Sequence, residues 1–251
     1  MRCYYGRSAC AALLSARPER IDRAFIDADR TRELSTIVRL LMRSRCAHRE
    51  VPQDELDRLA QSRHHEGVVV FAPAPSWPDW AELLEAPGPG QLALVDAGLN
   101  PHNLGAIARS AGYFGVGALG AVEGISAIAA AAGRIAEGAA EHLPYLRIDD
   151  GPWACRLARA HGWTVVATDA AAEGAVWDWT PPTARVVWLL GQEGRGLSAA
   201  LRAEADATVA IPGSGAVESL NVSVAAGVLF AEGARRQRSA SAGAAVTDSA
   251  E

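Results

Sequence analysis

The chain reads as an α/β protein with a mostly parallel sheet, preceded by a smaller α/β unit. Three observations predict this. From Gln91 onward, short apolar runs alternate with helical segments, the pattern of strands buried on both faces by crossover helices. A proline- and glycine-rich stretch, residues 73–90, separates that region from the one before it. The 251 residues, 49% of them apolar, suffice for one large domain and one small one.

Taken in order, the first unit covers residues 1–72. A helix is expected over Arg7–Ala16, a strand over RAFID, a longer helix from about Arg30 to Arg45, then a helix beginning near Asp54 as N-cap. Gly67 precedes a β-branched run, GVVVFA, suited to a buried strand. In the linker, Trp77, Trp80, Leu83 and Leu84 share one face of a short helix that can dock by its apolar stripe. The large domain, residues 91–238, reads QLALVDA, a helix from Asn103, VGALGAV, an Ala-rich helix, LPYLRI, the helix WACRLARA, TVVATDA, RVVWLLG, the helix LSAALRAEA, ATVAIP and a last helix from Ser219. Residues 239–251 lack periodicity and bulky apolar groups and read as a disordered tail.

Composition narrows the function. All 24 basic residues are Arg, against 29 acids, so the net charge of -5 excludes general adhesion to a polyanion; nucleic-acid binding must be local. Residues 1–72 hold 13 Arg against 10 acids and are the basic part. Cys3, Cys10, Cys46 and Cys155 form no metal-ligand spacing and no disulfide framework, so reduced thiols and no metal are expected. The opening MRCYYGRSACAALLSA imitates a signal peptide, but Arg7 breaks the apolar run and RPER follows; with no membrane span either, a cytoplasmic location is expected.

In parallel sheets, ligands collect beyond the carboxyl ends of strands, which directs attention to the loops after QLALVDA, RVVWLLG and ATVAIP. In the first, NPHNLGAIARSA, Pro101 stiffens the turn, Asn103 can cap the following helix and Gly105 permits close approach. Arg109 lies among small residues; it can serve a substrate or simply face water. The second, LLGQEGRGL, is neither GxGxxG nor a P-loop, and its Glu193 is either a solvated turn residue or a group aimed into a crevice. The third, IPGSGAVESLNVSVAAGVL, offers Ser219 and Asn221 as helix caps or as site residues.

Together and in this order, the three segments resemble the SpoU/TrmH family of RNA ribose 2'-O-methyltransferases within the SPOUT superfamily. The resemblance implies a SPOUT α/β-knot catalytic domain, with a deep trefoil knot that no reading of periodicity would predict, preceded by a small substrate-binding domain. It further implies S-adenosyl-L-methionine as cofactor, held by backbone around Thr168, Leu190, Gly191, Gly196, Ile211 and Leu220. Asn103, Arg109, Glu193, Ser219 and Asn221 match the family's catalytic positions. RNA, ribosomal or transfer, is the implied partner, and a homodimer through the knot and last helix the implied assembly. The sequence departs from the usual pattern at Gln192 and Glu218, which bears on substrate preference. His102 beside Pro101 reads as structural or phosphate-facing. Two alternatives remain: a non-catalytic RNA-binding protein retaining the fold, and a dinucleotide enzyme, which lacks the expected GxGxxG.

Overall fold

Two sheets organise the molecule, and the computed structural model describes residues 1–86, 90–96, 98–122 and 139–247. The first sheet has four strands in the order β1-β4-β2-β3: β1 Arg2–Tyr5, β2 Arg23–Asp27, β3 His48–Val51 and β4 Val68–Ala72. β4 runs antiparallel to β1 and β2, whereas β2 and β3 are parallel. Helices α1 (Arg7–Ala16) and α2 (Ser35–Arg43) cover one face, burying Cys10, Leu13, Leu14, Ile37 and Leu41 against Ile26, Val68 and Val70. Helix α3 (Gln53–Ala60) covers the other through Leu56 and Ala60.

Several boundaries differ from expectation. The opening residues form β1, paired residue by residue with β4, so the run resembling a signal peptide contributes a strand and a helix to the small core. β3 also escapes the sequence reading, because His48, Arg49 and Glu50 are polar and only Val51 is buried. The helix expected from Arg30 begins at Ser35, after a 3₁₀ turn over Ala28–Arg30 capped by Asp27. Pro52, not Asp54, occupies the cap position of α3; Asp54 stands in its first turn, where a carboxylate complements the helix dipole.

The second sheet has six strands, all parallel, in the order β10-β8-β9-β5-β6-β7. They are β5 Gln91–Val95, β6 Leu119–Val122, β7 Tyr145–Ile148, β8 Thr164–Thr168, β9 Val186–Leu190 and β10 Ala207–Val209. Central β5 and β9 are wholly buried, which is why they read as unbroken apolar runs rather than alternating ones. Helices α5 (Pro101–Phe114) and α8 (Val222–Thr247) pack on one face. Helices α4 (Trp80–Glu85), α6 (Gly151–Ala160) and α7 (Ala199–Ala203) pack on the other. The expected Ala-rich helix after β6 falls on residues 123–138, outside the described residues.

The linker helix α4 begins at Trp80 behind an Asp79–Glu82 capping box, leaving Trp77 outside it. The indole nitrogen of Trp80 donates to the Ala154 carbonyl at 3.1 Å, and that of Trp163 donates to Leu84 at 3.2 Å, so α4 belongs to the large sheet's outer layer. The two sheets are also joined by an ion pair: Arg17, just past α1, contacts Glu141 at 2.7 Å and donates to the Pro73 carbonyl at 3.1 Å. Glu141 is buried. Finally, α8 starts at Val222 rather than Ser219 and continues to Thr247, through residues expected to lack regular structure. The alanines and serines that make this segment weakly amphipathic do not oppose helix, since alanine has the highest helix propensity.

Candidate active site

Strand β5 lies between β9 and β6; from the carboxyl end of β5 the chain moves to β6 on one side, and from the carboxyl end of β9 it moves to β10 on the other. The carboxyl ends of β5 and β9 therefore border a crevice, the position where open parallel sheets place their ligands. Helix α5 leaves β5 through a short loop. Asn100 is its N-cap and accepts from the Asn103 backbone N–H at 2.9 Å, with Pro101 in the first turn. The sequence reading gave the cap to Asn103; the structure gives it to Asn100, which releases the Asn103 side chain for the crevice. Asn103 is buried, and its Nδ2 has no hydrogen-bond partner among the described residues.

The loop after β9 folds back on itself. Gln192 and Gly196 exchange backbone hydrogen bonds at 3.0 and 2.9 Å, lifting Glu193 to the tip. Gly191 is obligatory here: a Cβ would lie 2.4 Å from the Gly196 carbonyl carbon. The third segment arrives from β10 and ends at Asn221, whose Oδ1 accepts from the Ser223 backbone N–H at 2.8 Å and so caps α8. Its amide nitrogen meanwhile donates to Asn103 Oδ1 at 3.1 Å and to a Glu193 carboxylate oxygen. Asn221 thus ties Asn103, in the first turn of α5, to Glu193 of the β9 loop, bringing three separate segments together.

Ser219 is exposed on the loop two residues before Asn221. Arg109 is exposed on α5; six residues beyond Asn103 is about 9 Å along the axis and on a different side of the helix. The structure brings three of the five expected residues, Asn103, Glu193 and Asn221, into direct contact. Among the residues expected at the cofactor, Thr168 donates from its hydroxyl to the Leu189 carbonyl at 2.9 Å, linking the ends of β8 and β9. Leu190 is buried, Ile211 is half-buried and Leu220 is exposed.

Two supporting residues were missed by sequence reasoning. Asp96, buried at the end of β5, accepts from the Ser198 backbone N–H at 2.6 Å and fixes the start of α7. Asp169, after β8, is ion-paired with Arg202 of α7. The backbone N–H of Ala171 and the Arg202 guanidinium hold its carboxyl below the usual carboxylate range. Together they pin the Glu193 loop from both neighbouring strands. The only available signal was an acid directly after each strand, which is common in loops. Among the described residues no group of His, Cys, Asp or Glu has metal-binding arrangement, and no helix is long and apolar enough to cross a membrane.

Residues 92–231 match the SpoU rRNA methylase family, and residues 4–78 match the RNA 2'-O ribose methyltransferase substrate-binding family. An "uncharacterized tRNA/rRNA methyltransferase YfiF" of Escherichia coli is 34% identical over 93% of this chain and 68% of its own length. A 23S rRNA (guanosine-2'-O-)-methyltransferase, RlmB, of Neisseria meningitidis is 35% identical over 74% of each chain. The crystal structure of the SpoU methyltransferase AviRb from Streptomyces viridochromogenes, in complex with AdoMet, superposes with a TM-score of 0.77 at 25% identity, covering 94% of this chain and 90% of that one. With three loops converging at Asn221 and more than half of its length matched, the chain belongs to the SpoU rRNA methylase family.

Proposed function

We propose that this protein transfers the methyl group of S-adenosyl-L-methionine to a ribose 2'-hydroxyl of RNA, at the crevice where Asn103, Glu193 and Asn221 meet. The contact of Asn221 with both other side chains is the observation that carries this reading, because it unites the three segments of the family resemblance in one polar cluster. Ribosomal RNA is the first candidate substrate and transfer RNA the second. Residues 1–72 dock the RNA, residues 91–238 perform the chemistry, and the site of action is the cytoplasm.

The crevice suits the cofactor. Gly191 and Gly196 press two backbone segments together, Ile211 and Leu220 add apolar surface, and Asn103 Nδ2, without a partner among the described residues, offers a donor. When bound, S-adenosylmethionine supplies a methyl already activated by its sulfonium. The protein's own task is then to align the hydroxyl and manage one proton. An arginine is a poor base, since its unperturbed pKa exceeds about 12. Arg109 therefore stabilises the developing alkoxide, or holds a neighbouring phosphate. Asn103 and Glu193, fixed by Asn221, orient the ribose, and Ser219 hydrogen-bonds across the site.

The deep trefoil knot and the homodimer belong to the same reading. Exposed Tyr113 on α5 and Val224 on α8 support the dimer: they leave apolar surface on two adjacent helices, and Tyr113 lies one turn from Arg109. Calorimetric titration with S-adenosylmethionine, paired with methyl incorporation into ribosomal RNA, tests the assignment. Arg109→Ala is expected to keep cofactor affinity within about threefold while transfer falls at least about 100-fold, or about 2.7 kcal/mol. An active variant removes Arg109 from the mechanism. Binding of NAD without S-adenosylmethionine overturns the whole reading.

A further inference from the structure

We infer that the solvent face of α2 is the surface through which the small domain grips RNA, by its phosphates rather than its bases. The inference rests on the methyltransferase reading above and locates the docking that it requires. Residues 34–49 contain Arg39, Arg43, Arg45 and Arg49 and no carboxylate, in a chain whose net charge is -5. Arg39 and Arg43 stand one turn apart on α2, opposite the buried Ile37 and Leu41, and Arg32 lies just before the helix. All of them are exposed, as is Met42 between them.

These arginines differ from most others in the protein. Arg7, Arg17, Arg30, Arg58, Arg156, Arg159, Arg202, Arg235 and Arg236 each meet a carboxylate. Among the described residues, Arg32, Arg39, Arg43 and Arg45 make no ion pair; the nearest acid in sequence, Glu33, is taken by Arg7 and Arg30. Like charges one turn apart repel, so this stripe costs the folded protein stability unless an anion covers it.

The end of the helix points the same way. Arg45 has φ 54°, and the N–H groups of Arg45 and Cys46 close onto the carbonyls of Met42 and Leu41. That geometry is the helix-terminating motif in which glycine is favoured, because a side chain is strained at positive φ. An arginine there trades backbone ease for one more cation at the end of the stripe. A chain of contacts also joins this surface to the helix of the candidate active site. α2 packs on α1, Arg17 beyond α1 holds Glu141, and Ala139 beside it rests on Gly112 of α5, the helix bearing Asn103 and Arg109.

Phosphate recognition by this stripe is local and electrostatic, so it is read by salt dependence. The test uses the full chain and total ribosomal RNA as probe, in filter binding from about 50 to 200 mM salt. The variant Arg39→Ser/Arg43→Ser/Arg45→Gly is expected to weaken RNA binding about tenfold and reduce the salt slope by about two. Its S-adenosylmethionine affinity should not change, and its melting temperature should not fall, since glycine relieves the strain at 45. A control variant, Arg58→Ser/Arg147→Ser, removes arginines elsewhere and should keep the slope of the unaltered chain. An unchanged slope in the triple variant, or an equal loss in the control, overturns the docking face while leaving the enzyme reading intact. If the unaltered chain binds S-adenosylmethionine but no RNA, the RNA reading falls and the docking face with it.

Discussion

The carboxyl and amino ends of the six-stranded sheet both set polar side chains against α8, and they satisfy them differently. At the carboxyl end, Asn221 and Glu193 are exposed, and the amide nitrogen of the buried Asn103 has no partner among the described residues. At the amino end, Gln91 is buried and fully engaged: its amide nitrogen donates to the carbonyls of Phe114 and Phe230, and its oxygen accepts from the Trp188 indole at 3.2 Å. Helix α8 approaches so closely there that a Cβ on Gly233 would lie 2.2 Å from Gln91 Oε1. Nearby, Glu232 holds Arg235 and Arg236 at 2.7 Å each. The same helix thus presents exposed donors and acceptors at its start and a buried, more fully paired network farther along, where among the described residues only Arg236 Nη1 lacks a partner. Spare capacity in a preorganised cluster is available to a ligand, whereas a closed buried network returns its hydrogen bonds as stability.

If this division holds, substitutions at the two ends should separate activity from stability. The largest effect is expected from Asn221→Ala, which unties Asn103 from Glu193: methyl transfer to ribosomal RNA should fall about 100-fold, a loss of about 2.7 kcal/mol. The accompanying loss of the helix cap should cost only about 1 kcal/mol in denaturant unfolding. A variant with normal turnover would erase the functional side of the comparison. Next comes Gln91→Leu, which strands the buried Trp188 indole N–H and should lower stability by about 2 kcal/mol while leaving S-adenosylmethionine affinity unchanged. Weakened cofactor binding with unchanged stability would reverse the assignment of the two ends.

The smallest effect is expected at Glu232, and it depends on pH. Hydrogen bonds from Arg235 and Arg236 depress its carboxyl from 4.5 to about 2. A depressed carboxylate adds stability above its unfolded-state value and loses it as pH falls through the folded-state value. Glu232→Gln should therefore cost about 1 kcal/mol between pH 5 and 8, discounted because Arg235 is largely exposed. The difference from the unaltered chain should shrink below pH 4.5 and be mostly gone by about pH 2. A difference that stays constant from pH 7 down to pH 2 would mean the ion pairs contribute nothing and packing alone is lost.

Two of the four cysteines, Cys10 and Cys155, are buried. Burial pushes Cys155 up to about 12 and raises Cys10 further. Neither is a nucleophile at neutral pH, since the reactive species is the thiolate.

Strands β5, β8 and β9 were legible because complete or nearly complete burial writes them as largely apolar runs, and the three loops after β5, β9 and β10 were legible by motif. β1 and β3 were not, because short strands with polar or half-exposed side chains have no periodicity to detect. The cap of α5 was misplaced by three residues because Asn100 and Asn103 have identical chemistry; only backbone geometry shows which one turns inward. Asp96 and Asp169 left no local sign, since their partners Ser198 and Arg202 lie far along the chain.

By itself, then, the sequence determined the α/β class, the identity of the three loops and the family they resemble, because burial pattern and motif are local properties of the chain. Only the tertiary structure decided the strand order, which brings β9 beside β5, and the joining of Asn103, Glu193 and Asn221 across as many as 118 residues. The physical reason is that a hydrogen bond depends on distance and direction in space, and neither is encoded by spacing along the chain when the partners lie on different strands.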